Sequence, residues 1–262
     1  MTPTVPPVAE LFAPTHWRTV VCISDLHLQA TEPTTFAAWQ RSMAGTTADA
    51  VFILGDLFEV WVGDDVLDAD PAGFNATCVQ VLRDTARQRP VFFMHGNRDF
   101  LVGRAYLDAC GVTLLDDPTV LQFAGQRWLL NHGDALCLDD ADYLQFRAVV
   151  RSPQWQQDFL AKPLAERQQI ARSIRSQSED RKRSGVVYAD VDTTAAIEWL
   201  HAAQATVLVH GHTHRPAQHY MGNGLQRWVL SDWDAAAVPP RGELLCLSKA
   251  GVQRFPLDWS NY

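Results

Sequence analysis

Five short apolar runs constrain this chain more than any other feature. Each is rich in Val, Ile, Leu or Phe and stops at a polar cluster: TVVCIS before Asp25, AVFILG before Asp56, VFFMHG before Asn97, RWLLN before His132 and TVLVHG before His212. Continuous rather than alternating apolarity marks strands covered on both faces. Between them lie stretches such as GFNATCVQVLRDTARQRP and TTAAIEWLHAAQ, whose apolar residues recur three and four apart. That spacing predicts helices with one buried face, and buried strands alternating with helices predict an α/β fold. After His214 the text changes to QRWVLSD, ELLCLS and VQRFPL, short strands that predict an antiparallel completion of a sheet.

With 262 residues, 47% hydrophobic and 20% charged, the chain can build a large core and is not disordered. Its net charge of −8 argues against a nucleic-acid coat protein, which needs a basic surface to displace counterions. No obligate protein partner is evident. The start, MTPTVPPVAELFAP, has neither a charged n-region nor an apolar core, and no run approaches the roughly 20 apolar residues of a membrane span, so a cytoplasmic location is expected. Four prolines among residues 1–17 predict a flexible extension, leaving one domain over 18–262. Five cysteines without CxxC spacing read as reduced, mostly buried thiols.

One segment breaks the alternation. From about 138 to 192 there is no strand signal, only helical text carrying Tyr143, Trp155, Phe159, Ile170 and Ile174. Between Arg147 and Arg183 it holds nine Lys/Arg and four Asp/Glu. This predicts an inserted, basic, partly apolar helical cap.

Every one of the five strand ends delivers metal-binding side chains: Asp25 and His27, Asp56, Asn97, His132, and His212 with His214. Ligand sites of open α/β sheets lie at the carboxyl ends of strands, so residues spread along the whole chain can converge there. Alternate residues of D-x-H and H-x-H point the same way along extended backbone. Any one such fragment on a surface loop is ordinarily just solvated. Five in this order, each directly behind a buried-type strand, are not. His16, His95, His201 and His219 fall outside the pattern, and His210 stays unassigned. Oxygen and nitrogen donors without thiolate suit two ions such as Mn²⁺, with Fe²⁺ or Zn²⁺ as alternatives. Two divalent ions held together lower the pKa of a shared water towards about 7, which points to hydrolysis of a phosphoester or phosphoanhydride.

These residues, D-x-H, GD, GN, H and GHTH in this order, resemble the calcineurin-like metallophosphoesterases. The resemblance implies an α/β/β/α sandwich of two mixed sheets. It further implies that Asp25, His27 and His214 hold one metal, that Asn97, His132 and His212 hold the other, and that Asp56 bridges them. The longer strings ISDLHL, LGDLFEVWVGDD, HGNRDFLVG, NHGDALCLDD and VHGHTHRP are similar to members acting in lipid A biosynthesis. That similarity implies UDP-2,3-diacylglucosamine as substrate, cleaved to UMP and 2,3-diacylglucosamine 1-phosphate at the inner face of the inner membrane. Many relatives read GNHD where this chain reads GNRD. Arg98 cannot serve as a general acid at neutral pH, but its planar fork can bind phosphate oxygens, so Arg98, with Asn97 and His212, is expected at the reacting phosphate. Similarity also places Asp140, Tyr143, Ser178 and a nearby basic residue, Lys182 being the closest candidate, against the substrate. The cap would receive acyl chains and rest on an anionic lipid surface. The competing reading is a phosphodiesterase for a nucleotide, with the same metals and no use for an apolar cap.

Overall fold

The computed structural model describes residues 5–183 and 189–259, apart from the side chains of 177–183. Its strands form two six-stranded sheets. One runs β12 (Gly251–Pro256), β11 (Glu243–Ser248), β2 (Thr19–Ile23), β3 (Ala50–Leu54), β4 (Val91–Met94), β5 (Thr113–Leu115). The other runs β1 (Ala9–Phe12), β6 (Thr119–Phe123), β7 (Gln126–Leu130), β8 (Val207–His210), β10 (Gln226–Val229), β9 (Ala217–Tyr220). The helices are α1 (Pro33–Gly45), α2 (Val66–Ala69), α3 (Phe74–Ala86), α4 (Arg104–Cys110), α5 (Ala141–Val150), α6 (Pro153–Leu160), α7 (Leu164–Arg183) and α8 (Thr193–Ala202).

The apolar runs are continuous because both faces of each strand are used. Val20, Cys22, Phe52, Leu54, Phe92 and Met94 meet Leu121, Trp128, Leu130, Val207 and Val209 between the sheets. Their neighbours Val21, Ile23, Val51, Ile53, Val91 and Phe93 face the opposite way, onto Trp39, Met43, Cys78, Leu82, Tyr106 and Leu107 of α1, α3 and α4. On the far side of the second sheet, Val120, Leu129 and Leu208 pack on Ala195, Trp199 and Leu200 of α8. Helix, sheet, sheet and helix are thus four layers. Each large side chain so buried contributes roughly 1.5–3 kcal/mol.

Register brings the strand ends together. Strands β2, β3 and β4 are parallel with Ile23 beside Ile53 and Leu54 beside Met94, so Asp25, Asp56 and Asn97 leave the first sheet at one edge. Strands β7 and β8 are parallel with Leu130 beside Val209, so His132 and His212 leave the second sheet side by side.

Two expectations are corrected. Residues 9–12, expected within a flexible extension, form edge strand β1, parallel to β6 with Ala9 beside Thr119. AELF alternates, Ala9 and Leu11 half-buried and Glu10 and Phe12 exposed, and the prolines flank this segment without interrupting it. Strand β10, expected to be antiparallel, lies parallel to β8 and is antiparallel only to β9. The strand β11 and its partners β2 and β12 do pair antiparallel.

The segment without strand signal carries α5, α6 and α7. Its apolar residues divide. Phe159 is buried and Trp155 and Ile170 pack half-buried against the core, whereas Phe146, Val149, Leu160 and Ile174 are exposed. No helix among the described residues is long and apolar enough to cross a membrane.

Candidate active site

Five of the expected ligand residues occupy the left-handed backbone region: Asp25 (φ 54°), His27 (48°), Asp56 (53°), His212 (67°) and His214 (53°). L-residues reach this conformation at a cost of order 1–3 kcal/mol, and such strain collects where side chains must be aimed. Glycine makes room for them. A Cβ on Gly96 would stand 2.0 Å from Oδ1 of Asp56, and one on Gly211 would stand 2.2 Å from Oδ2 of Asp25.

The carboxylates lie at the bottom of the site. Asp25 and His132 have no exposed surface and Asp56 is 2% exposed. Ligand atoms of Asp25, His27 and His214 come within 4.8 Å of one another, as do those of Asp25, Asp56 and His132. Asp56 faces both ways, with Oδ2 3.9 Å from Nε2 of His27 and Oδ1 3.7 Å from Nε2 of His132. Oδ1 of Asn97 lies 3.0 Å from Nε2 of His132 and 2.8 Å from Nδ1 of His212. All seven expected ligands therefore meet at one edge.

The donor set fits divalent cations. Nε2 of His27 and Nε2 of His214 confront each other at 3.2 Å, a contact that suits two lone pairs sharing a cation. The remote ring nitrogens lie near oxygens that favour a proton on them, with hydrogen-bond geometry in one of the three, at His132. Nδ1 of His27 is 3.0 Å from Oε2 of Glu59. Nδ1 of His214 is 3.6 Å from Oδ2 of Asp232, itself gripped by Arg241. Nδ1 of His132 is 2.9 Å from the carbonyl oxygen of Leu54. Electrostatics agree. Burial disfavours a charge on His132, yet Asp56, Asp134 and Asp25 outweigh it and raise its pKa to about 9. Burial, reinforced by His132, pushes His212 down to about 3. The acidic surplus calls for positive charge, which protons supply in part and metal ions would supply in full.

The site is braced by residues that sequence reasoning did not single out. Asp99, fully buried, closes the loop after β3 onto the loop after β4: Oδ1 accepts from the N–H of Gly96 (2.8 Å) and Asp56 (3.3 Å), and Oδ2 from Leu57 (2.7 Å) and Phe58 (3.3 Å). Burial, and then the adjacent Asp56, raise its pKa to about 7, against the pull of those N–H groups. Asp134 is also fully buried and holds α5, accepting from the Tyr143 hydroxyl (2.5 Å) and from Nε of Arg147 (2.8 Å). Its place two residues beyond His132, on the same-side spacing already used for D-x-H, was the available signal. Glu59, the one charged residue in the run LFEVW, was another.

Arg98 stands at the rim. Its N–H donates to Oδ1 of Asp56 (2.8 Å) and its carbonyl accepts from Trp61 (3.1 Å), fixing its backbone. Its guanidinium approaches Glu59 at 3.7 Å. Tyr143 stacks on His212 with ring centroids 5.9 Å apart. Asp140 caps α5, accepting from the N–H of Tyr143 at 3.1 Å. The side chains of Ser178 and Lys182 lie outside the described residues. His210 is buried off the site, with Nδ1 2.8 Å from the Gly211 carbonyl.

Two sheets converging a dinuclear-type ligand set on their shared edge define a metallophosphoesterase, and the sequence profile of the calcineurin-like phosphoesterases matches residues 18–216, so the chain belongs to that family. Membership implies divalent metal ions. Over 244 residues the chain is 48% identical to the UDP-2,3-diacylglucosamine hydrolase of Chromobacterium violaceum, covering 90% of this chain and 97% of that protein. The protein of the same name from Bordetella pertussis is 43% identical, with 89% and 93% covered. That from Pseudomonas entomophila is 39% identical, with 92% and 100% covered.

Proposed function

We propose that this chain is a pyrophosphohydrolase that cleaves UDP-2,3-diacylglucosamine to UMP and 2,3-diacylglucosamine 1-phosphate. The observation that carries the reading is the meeting of seven oxygen and nitrogen donors beside Arg98, in a chain 48% identical to a named UDP-2,3-diacylglucosamine hydrolase over nearly its whole length. Asp25, His27 and His214 would hold one ion, Asn97, His132 and His212 the other, with Asp56 between them, and Mn²⁺ suits these donors. When bound, such ions supply an activated water and neutralise charge on the phosphoryl group.

The protein's own residues do the rest. Arg98, with its backbone fixed at both ends, presents a planar fork to the diphosphate, and charge-assisted bidentate contacts hold it in line with the ligand edge. Asn97 and His212 border the same phosphate. Tyr143 and Asp140, with Ser178 and Lys182 further along the cap, would contact the nucleotide sugar. The cap, about 138–192, would select the diacylated substrate, with Phe146, Val149, Leu160 and Ile174 offering apolar surface to acyl chains and its basic residues resting on anionic lipid at the cytoplasmic face of the membrane.

The test is a turnover assay on UDP-2,3-diacylglucosamine beside a generic phosphodiester, after demetallation and after readdition of Mn²⁺. The reading requires metal-dependent release of UMP and a strong preference for the lipid. Equal rates on both substrates would remove the lipid from the account, and full activity without metal would remove the site.

A further inference from the structure

Glu59 contacts three parts of the molecule at once: a ligand histidine, the rim arginine and the helix α7. It is 9% exposed, in the loop between β3 and α2. Its Oε2 lies 3.0 Å from Nδ1 of His27. Its Oε1 lies 2.9 Å from Nη1 of Arg175 on cap helix α7 and 3.7 Å from Nη1 of Arg98. One helix face of α7 makes a second contact with the same loop two turns earlier. There Arg167, 2% exposed, forks onto Asp65 and donates to the carbonyls of Val62 and Lys162. The cap helix thus has a buried anchor at Arg167 and a half-exposed clip at Arg175, and the clip closes on the carboxylate that faces a metal-ligand histidine.

We propose that Glu59 is a positioning residue that sets the His27 ring through one oxygen and holds Arg175 and Arg98 through the other, so that the placement of the cap and of His27 depends on one carboxylate. A carboxylate 3.0 Å from Nδ1 favours the proton there and leaves the lone pair of Nε2 on the side of Asp25 and Asp56, where a cation would sit, which is how an outer carboxylate raises the affinity of a histidine ligand. The same charge draws two guanidinium groups to the rim of the site. Without it, Arg98 and Arg175 would repel each other and α7 would lose its second contact with the loop. The inference rests on the metal assignment proposed above.

The experiment compares the full-length native chain with the variants Glu59→Gln and Arg175→Ala. Each is demetallated and titrated with Mn²⁺ by calorimetry, and backbone hydrogen exchange is followed along 168–176. Glu59→Gln should bind the ion at Asp25, His27 and His214 roughly 10- to 100-fold less tightly and should exchange roughly 2- to 10-fold faster in that stretch of α7. Arg175→Ala should show the faster exchange with native Mn²⁺ affinity. Native affinity in Glu59→Gln would overturn the His27 arm, and native exchange in both variants would overturn the cap arm. If Glu59→Gln fails to fold, unchanged exchange in Arg175→Ala still refutes the proposal. Failure of the underlying metal assignment is distinguishable, since the native chain itself would then bind no Mn²⁺.

Discussion

Replacing Asp99 by asparagine tests whether the candidate site depends on a carboxylate that is not one of its ligands. The four N–H groups of Gly96, Asp56, Leu57 and Phe58 divide two to each oxygen. An asparagine can offer an oxygen to only one pair and must turn its own N–H₂ towards the other. Either orientation leaves two buried N–H groups facing a donor. An unsatisfied buried donor costs about 1–3 kcal/mol, and because each pair contains one long contact of 3.3 Å, the low to middle part of the doubled range applies, roughly 2–4 kcal/mol. The assay is urea unfolding at about pH 8, above the value near 7 to which burial and Asp56 raise this carboxyl. Mn²⁺ binding should weaken as well, because the loops carrying Asp56 and Asn97 lose their tie. If the variant is as stable as the native chain to within about 0.5 kcal/mol, Asp99 is protonated and acts as a donor, and the argument for an ionised brace fails.

Three further outcomes are expected. Arg98→Ala should fold normally and lose roughly two orders of magnitude in turnover, with only partial recovery in Arg98→Lys, since a desolvated bidentate phosphate contact is worth a few kcal/mol; near-native rates would make it a bystander. His132 titrates near 9 in the metal-free protein, so an entering ion must displace a proton, and Mn²⁺ affinity should climb about tenfold per pH unit below that value, whereas a flat profile would contradict the protonated state. Asp190 forks onto Arg227 at 2.8 and 3.1 Å, and although burial opposes it, that contact holds its carboxyl at about 2 against 3.8 unfolded. Its stabilisation is complete above about pH 4 and fades as pH falls towards 2, so the stability gap between native and Asp190→Asn chains should narrow over that range and not stay constant.

The layered fold was legible because VVCI, AVFIL and VFFM are apolar at every position, and only strands covered on both sides require that. The ligands were legible because each sits two to four residues beyond such a run. Strand β1 was not. Four residues of modest alternation in a proline-rich segment gain their partner only from β6, more than a hundred residues away. The parallel pairing of β10 with β8 was hidden because β9 intervenes in sequence yet takes the outer edge, leaving β10 between the two. Asp99, Asp134 and Glu59 escaped attention because their roles are set by backbone donors and guanidinium groups from distant loops, and an isolated acid in sequence looks solvated. Arg167 illustrates the converse, a basic residue in a basic helix that turns out to be 2% exposed. The left-handed backbone at Asp25, His27, Asp56, His212 and His214 left no trace in residue type, since glycine would have advertised it and none stands there.

Metal stoichiometry tests the central claim most directly. The demetallated native chain, titrated with Mn²⁺ and analysed for bound metal, should take up two ions per chain. Asp56→Ala, which removes the carboxylate facing both ligand groups, should retain at most one and release no UMP from UDP-2,3-diacylglucosamine. A single ion per native chain, or two ions retained in Asp56→Ala, would contradict a dinuclear centre built on the five strand ends.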